Sequence, residues 1–170
     1  MFVLGIDPGL TRCGYGVVEG SFNRTESFRA LRAGTIETDH GTPVEVRLGQ
    51  LLVELRSLLD EVGPDVVVVE RVFYQRNAKT AIPVAQASGV AVALAGSRDV
   101  PVRQFTAQEV KLAVAGYGAA SKVQVQGMVA RLCGLAELPR PADAADALAL
   151  AITYFVVARS EQKYPQWSPR

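Results

Sequence analysis

The stretch "DVVVVE", Asp65 to Glu70, sets four consecutive valines between two acidic residues. Four β-branched residues in a row favour an extended chain, and an unbroken apolar run describes a strand buried on both faces. Such a strand is central and parallel to a neighbour. Upstream of it, Val46, Leu48, Leu51, Leu52, Leu55, Leu58 and Leu59 recur near helical spacing, and Gly63-Pro64 ends that helix. A strand-helix-strand crossover then brings the valine strand beside the first strand of the chain, Phe2 to Ile6. The expected fold class is therefore α/β.

Outward toward the amino terminus, Phe2–Ile6 and Gly14–Val18 read as two strands joined through the turn in "LGIDPG", Leu4 to Gly9, and residues 27–38 read as a third, looser strand. Together they make an antiparallel meander. Downstream of Glu70, the polar and basic stretch to Ala78 reads as an exposed loop containing Phe73 and Tyr74. Thr80 is the expected cap of the following helix, because Pro83 is tolerated best in a first helical turn. Ala85, Gly89, Ala93 and Gly96 recur at close to one-face spacing on that helix and would let the sheet or a second subunit approach closely, the sheet being the expected neighbour. Val100–Phe105 is a fifth strand, "TAQEVKLAVAG" a short helix, and "GYGAASK" a loop into another helix, capped by Ser121 with Gln124. Pro139 and Pro141 introduce a final helix from Ala142 to about Ala158. The expected organisation is one domain over residues 1–158 with a tail over 159–170.

With 170 residues, 49% of them hydrophobic, the chain suffices for one compact domain. No signal-peptide pattern opens it, and its most apolar run, Ala147–Ala158, is too short to span a bilayer. No membrane association and a cytoplasmic location are the expectations. Only two cysteines, Cys13 and Cys133, without paired spacing, and a lone His40 argue against a thiolate or imidazole metal site. Any metal is expected to be hard and oxygen-bound, magnesium or manganese. Charge is unevenly spread: residues 1–70 carry a net −5, whereas residues 71–136 carry +6. A solvated surface accounts for part of that pattern, but a basic middle segment is also what a phosphate backbone requires.

The acidic groups need their own reason. Alone, Asp-Pro-Gly is a turn signal. Yet Asp7 ends the first strand as Glu70 ends the valine strand, and neighbouring strands lie about 4.8 Å apart, so the two carboxylates can meet at one sheet edge. Asp143 and Asp146 are three residues apart and share one face of the last helix. In a first turn such residues also simply complement the helix dipole. If all four converge, their repulsion calls for cations between them, and two ions about 3.5–4 Å apart would suit displacement at phosphorus.

"GIDPG", "VVVVERVF", "VKLAVAGYG" with "ASKVQV", and "DAADALALAI" resemble, in order and spacing, segments of the RuvC family of four-way (Holliday) junction resolvases, within the ribonuclease-H-like nucleases. The resemblance covers nearly all of residues 1–158. It implies a five-stranded mixed sheet with helices on both faces, a homodimer, and paired symmetric nicks in a four-way DNA junction during recombination and repair. It implies Asp7, Glu70, Asp143 and Asp146 as catalytic metal ligands, for about two Mg2+ or Mn2+ ions per subunit. It implies Phe73 as the aromatic inserted at the junction and Lys111 and Lys122 as basic residues near DNA. Tyr74, Arg76, Asn77 and Lys79 join them as expected DNA contacts on the basic loop. The RuvA-RuvB branch-migration complex is the implied partner. Arg71 stands where the family pattern has glutamine. A twofold dimer also matches the junction's own symmetry.

Lys122 has a further reading from its position. It opens a helix, where a positive charge opposes the dipole, so a phosphate ligand at that helix start, beside the backbone of Gly116 and Gly118, is expected. Competing functions are a ribonuclease H acting on RNA-DNA hybrids, an actin-like nucleotide-binding protein, and a junction-binding protein without catalysis. The second needs two such domains, and the third leaves four carboxylates unexplained. Phe73 on a basic loop favours a branch point over a hybrid.

Overall fold

A computed structural model describes residues 1–22, 28–72 and 78–163, with the side chains of 78–80 and 163 left outside the description. The elements run β1 (Phe2–Asp7), β2 (Arg12–Glu19), β3 (Arg29–Glu37), α1 (Val44–Val62), β4 (Val66–Glu70), α2 (Ala78–Gly96), β5 (Val102–Phe105), α3 (Ala107–Ala115), α4 (Lys122–Leu132) and α5 (Ala142–Lys163). The strands form one sheet in the order β3-β2-β1-β4-β5. β1, β2 and β3 are antiparallel neighbours, while β1–β4 and β4–β5 are parallel. The mixed sheet and the central valine strand are as the sequence implies.

β4 shows why its apolar run does not alternate. Val67 and Val69 pack with Leu51, Leu55, Leu58 and Leu94 on the α1–α2 side, whereas Val66 and Val68 pack with Leu148, Ile152 and Phe105 on the α5 side. All four valines are buried. Each contributes about 1.5–3 kcal/mol by leaving water.

α5 has no polar face through its middle, because it lies between the sheet and helices α3 and α4; Ala144, Ala145 and every residue from Ala147 to Thr153 are buried. Its Thr153 hydroxyl is satisfied by donating to the Ala149 carbonyl at 2.7 Å. The helix rests on glycines. A Cβ on Gly5 would fall 1.9 Å from the Ala147 carbonyl oxygen, and one on Gly14 2.2 Å from that of Asp143. Only glycine admits a backbone this near.

Four expectations are corrected. Ala85, Gly89, Ala93 and Gly96 are exposed, and α2 turns Ala87, Ser88, Ala91, Leu94 and Ala95 inward instead, so the small-residue face is not the one laid on the core. α2 begins at Ala78, so Thr80 is not its cap, and Pro83 lies inside the helix rather than in its first turn. Pro83 has no N–H for the carbonyl one turn back, and its position so near the helix start limits the loss to the first turns. Val46, placed among the apolar residues of α1 by its spacing, is exposed, and Arg47 is buried instead. Arg47 has the reason for it: Nε donates to the Thr38 hydroxyl at 2.9 Å and Nη2 to the Thr11 hydroxyl at 2.7 Å. α5 also continues to Lys163, beyond the expected end near Ala158.

Candidate metal centre

The parallel register pairs Ile6 with Val69, so the next residues, Asp7 and Glu70, leave adjacent strands at the same end of the sheet. Their carboxyl groups are close enough for each to shift the proton affinity of the other. α5, seated on Gly5 and Gly14, brings its first turns over that strand end. Oxygens of Asp7, Asp143 and Asp146 all lie within 4.8 Å of one another. Three carboxylates thus gather around one point, with Glu70 beside Asp7.

The electrostatics of the cluster are unfavourable. Asp7 is pushed from 3.8 up to about 8, first by burial and then by the charges of Glu70, Asp146 and Asp143. Glu70 is also raised, chiefly by burial and further by Asp146, although the nearby Asp7 carboxyl and the charge of Lys122 oppose the shift. Carboxylates held so that their ionised forms repel are a recurring mark of functional sites. The donors are hard oxygens, and a divalent cation among them would relieve both burial and repulsion, so the residues present fit magnesium or manganese. The thiols do not compete: burial pushes Cys13 up to about 12 and Cys133 up to about 11.

Two side-chain cations already touch the cluster, from opposite sides of β1. Lys122 Nζ lies 2.6 Å from Asp146 Oδ2 on the β4 side, and Arg12 Nε lies 3.5 Å from Asp143 Oδ2 on the β2 side. The bond to Asp146 holds Lys122 protonated by raising its pKa. The expectation of a lysine aimed only at phosphate is therefore modified. Lys122 is ion-paired within the site, yet its side chain keeps 54% exposure. The predicted capping box at its helix start is present, with Ser121 Oγ accepting from the Gln124 N–H at 3.3 Å and Gln124 Oε1 accepting from the Ser121 N–H at 2.9 Å.

A cavity of about 230 Å3 opens over the carboxylates, lined by Asp7, Glu70 and Asp146, by Lys111 and Lys122, and by apolar residues of α3, α4 and α5. Lys111 therefore stands at the site, supplied by α3. Phe73, Tyr74, Arg76 and Asn77 lie outside the described residues, and Lys79 belongs to α2 with its side chain outside the description. Arg71, just beyond Glu70, donates from Nη2 to the Gln104 carbonyl at 3.1 Å and so lies along β5. Arg12 was not singled out by sequence, because its meeting with Asp143 spans most of the chain; its place three residues after the Asp-Pro-Gly turn was the one available signal.

A family model described as "Crossover junction endodeoxyribonuclease RuvC" matches residues 3–154. A protein of that description from Frankia alni is 52% identical over 154 residues, covering 91% of this chain and 77% of that protein. One from Thermomicrobium roseum is 49% identical over 162 residues, covering 95% and 97%. Among solved structures, Thermus thermophilus RuvC in complex with a Holliday junction substrate is similar at a TM-score of 0.86 and 37% identity, covering 94% of this chain and 96% of that one.

Proposed function

The chain belongs to the RuvC family of crossover junction endodeoxyribonucleases, and from that premise we propose how its residues resolve a junction. The protein is a metal-dependent endonuclease acting on four-way DNA junctions. The observation that carries the assignment of roles is the convergence of Asp7, Asp143 and Asp146, with Glu70 beside Asp7, at the end of the two central parallel strands.

In this reading Asp7, Glu70, Asp143 and Asp146 hold about two magnesium ions per subunit, with manganese as a substitute. Bound there, the ions would supply an activated water and stabilise the leaving oxygen of the cut phosphodiester. The protein's own part is positioning. β1 and β4 fix two carboxylates on rigid strand ends, and the glycine seat of α5 fixes the other two. Lys111 and Lys122 draw the phosphate backbone to the cavity mouth. Phe73 unstacks bases at the branch point, and Tyr74, Arg76, Asn77 and Lys79 are further DNA contacts. Two subunits in a twofold dimer present two such sites, one for each strand to be nicked. Association with a RuvA-RuvB branch-migration complex and action in the bacterial cytoplasm belong to the same reading, with family membership as their support; among the described residues no helix is long and apolar enough to cross a membrane.

One gel tests the reading. Labelled four-way junction, linear duplex and RNA-DNA hybrid are each incubated with magnesium, manganese or chelator. Paired nicks in the junction alone, lost in chelator, are expected. Preferred cutting of the hybrid would replace the reading with a ribonuclease H.

A further inference from the structure

We propose that Arg12 is a phosphate-binding residue of the junction site, gripping the DNA backbone on the flank of the carboxylates opposite Lys122. The inference rests on the junction-resolving function above and extends its machinery to a residue outside the basic middle segment.

Among the described residues the side chain has no hydrogen bond that explains its place. It is 60% exposed, and its closest approach to Asp143 is Nε at 3.5 Å, with no hydrogen bond from either Nη group to a described residue. An ion pair that open contributes about 0–1 kcal/mol to stability. Nor is Asp143 its only acidic neighbour: Arg12 lies across the β2–β3 ladder from Glu37, yet among the described residues the guanidinium pairs with Asp143 and not with Glu37. It is turned toward the site.

The backbone beneath Arg12 is unusually well held for a strand start. Gly9 sits so near that a Cβ there would fall 2.1 Å from the Arg12 carbonyl oxygen. The preceding Thr11 accepts from buried Arg47 through its hydroxyl at 2.7 Å and from the Thr38 N–H through its carbonyl at 3.1 Å. A firmly anchored residue with a half-free guanidinium is preorganised for an anion, and the planar fork of arginine suits phosphate oxygens in two-point contact. A strand laid over the carboxylates has phosphates on both sides of the one being cut. Lys122 and Lys111 serve one side. Arg12, on the other side of β1, is the described cation that touches the cluster from there.

Arg12 could instead act only by orienting Asp143, and a double substitution separates the two. In Asp143→Asn the ion pair is gone, so any effect that Arg12 exerts through the charge of Asp143 is removed, whereas a phosphate contact remains. Junction binding is read by fluorescence anisotropy in chelator across a salt titration, for Asp143→Asn alone and with Arg12→Ala, Arg12→Gln or Arg12→Lys added. Arg12→Ala and Arg12→Gln are expected to lower the slope of log affinity against log salt by about 0.9 and to weaken binding on the order of tenfold near 0.1 M salt. Arg12→Lys should retain most of the slope. An unchanged slope with Arg12→Ala in the Asp143→Asn background overturns the proposal and leaves Arg12 as a positioning residue. Failure of the unsubstituted chain to prefer the junction over linear duplex would overturn the functional reading itself, a result distinguishable from a change at Arg12 alone.

Discussion

The two faces of the sheet are packed by different means. On the α1–α2 face, Leu4, Ile6, Val67 and Val69 meet Leu51, Leu55, Leu58 and Leu94, so branched side chains fill the space between backbones. On the α5 face, the helix backbone near Asp143 and Ala147 sits directly on Gly14 and Gly5. The first arrangement gains stability from buried area and tolerates small shifts. The second fixes a distance. The carboxylates of the site come from β1, β4 and α5, so only the second face decides whether they meet.

The sharpest test sets one residue against another across the sheet. Gly5→Ala puts a Cβ into the Ala147 carbonyl. It is expected to cost about 3 kcal/mol or more and to remove cleavage even in the fraction that stays folded, because α5 must move away from Asp7. Leu55→Ala, on the opposite face and fully buried, should cost about 2–5 kcal/mol. Its cleavage per folded molecule should remain near the parent's. Chemical denaturation together with active-site titration reads both quantities. Equal loss of cleavage in the two variants would break the distinction between the faces.

Next in size is Asp7→Asn. With its carboxyl raised from 3.8 to about 8, the native metal-free protein holds a proton that the unfolded chain has already released between those values. Stability without metal therefore falls as pH rises through that window. Glu70 is raised as well and adds in the same direction, while Lys122 and Arg12 oppose the repulsion. Asp7→Asn should abolish cleavage yet stabilise the metal-free protein at pH 8 by on the order of 2 kcal/mol. Adding magnesium should stabilise the parent at pH 8 and the variant much less. Melting curves at pH 5 and pH 8, with chelator or magnesium, check all of this; a variant less stable than its parent at pH 8 in chelator would mean that Asp7 is not held against its neighbours.

The contrast also explains what was legible in sequence. "DVVVVE" declares its burial on both faces, and a carboxylate that ends each of two paired strands is readable once the strands are known to be parallel. Asp143 and Asp146 were readable from helical spacing. The residues missed or misread are those whose meaning depends on long-range contacts. Helical periodicity puts Val46 inside, but Arg47 turns in because Thr38 and Thr11 await it. Pro83 suggests a helix start at Thr80, whereas the helix begins at Ala78. Lys122 shows its place at a helix start but not its partner Asp146, which α5 supplies only after it packs against α4.

Arg47 sharpens the comparison from beside the site. Its guanidinium ties the loop after Asp7 to the end of β3, so Arg47→Met keeps the apolar stem but leaves the Thr11 and Thr38 hydroxyls without that donor. A loss of about 1–3 kcal/mol is expected. Cleavage should fall less than in Gly5→Ala, because α5 keeps its seat and only the loop loosens. Hydrogen exchange at Thr11 and Thr38 locates the effect, and unchanged protection there would show that the loop is held by its backbone bonds alone.

Lys122→Ala is the smallest and the most discriminating change in stability. The pair with Asp146 is short, at 2.6 Å, but the lysine is half exposed, so its direct contribution stays within about 1 kcal/mol. Position alone would have the substitution neutral or stabilising, since a cation at a helix start opposes the dipole. The ion pair reverses that sign in chelator, where removing Lys122 leaves Asp146, Asp7 and Glu70 with less compensation. A drop in melting temperature of a degree or two without metal is expected, and magnesium should erase it by taking over the same charge. In junction binding, the salt slope should still fall by roughly one unit, as expected if the exposed ammonium reaches phosphate as well as carboxylate. A melting temperature lowered equally with and without magnesium would make Lys122 a structural clamp of α4 on α5 rather than a charge shared between the acidic site and its substrate.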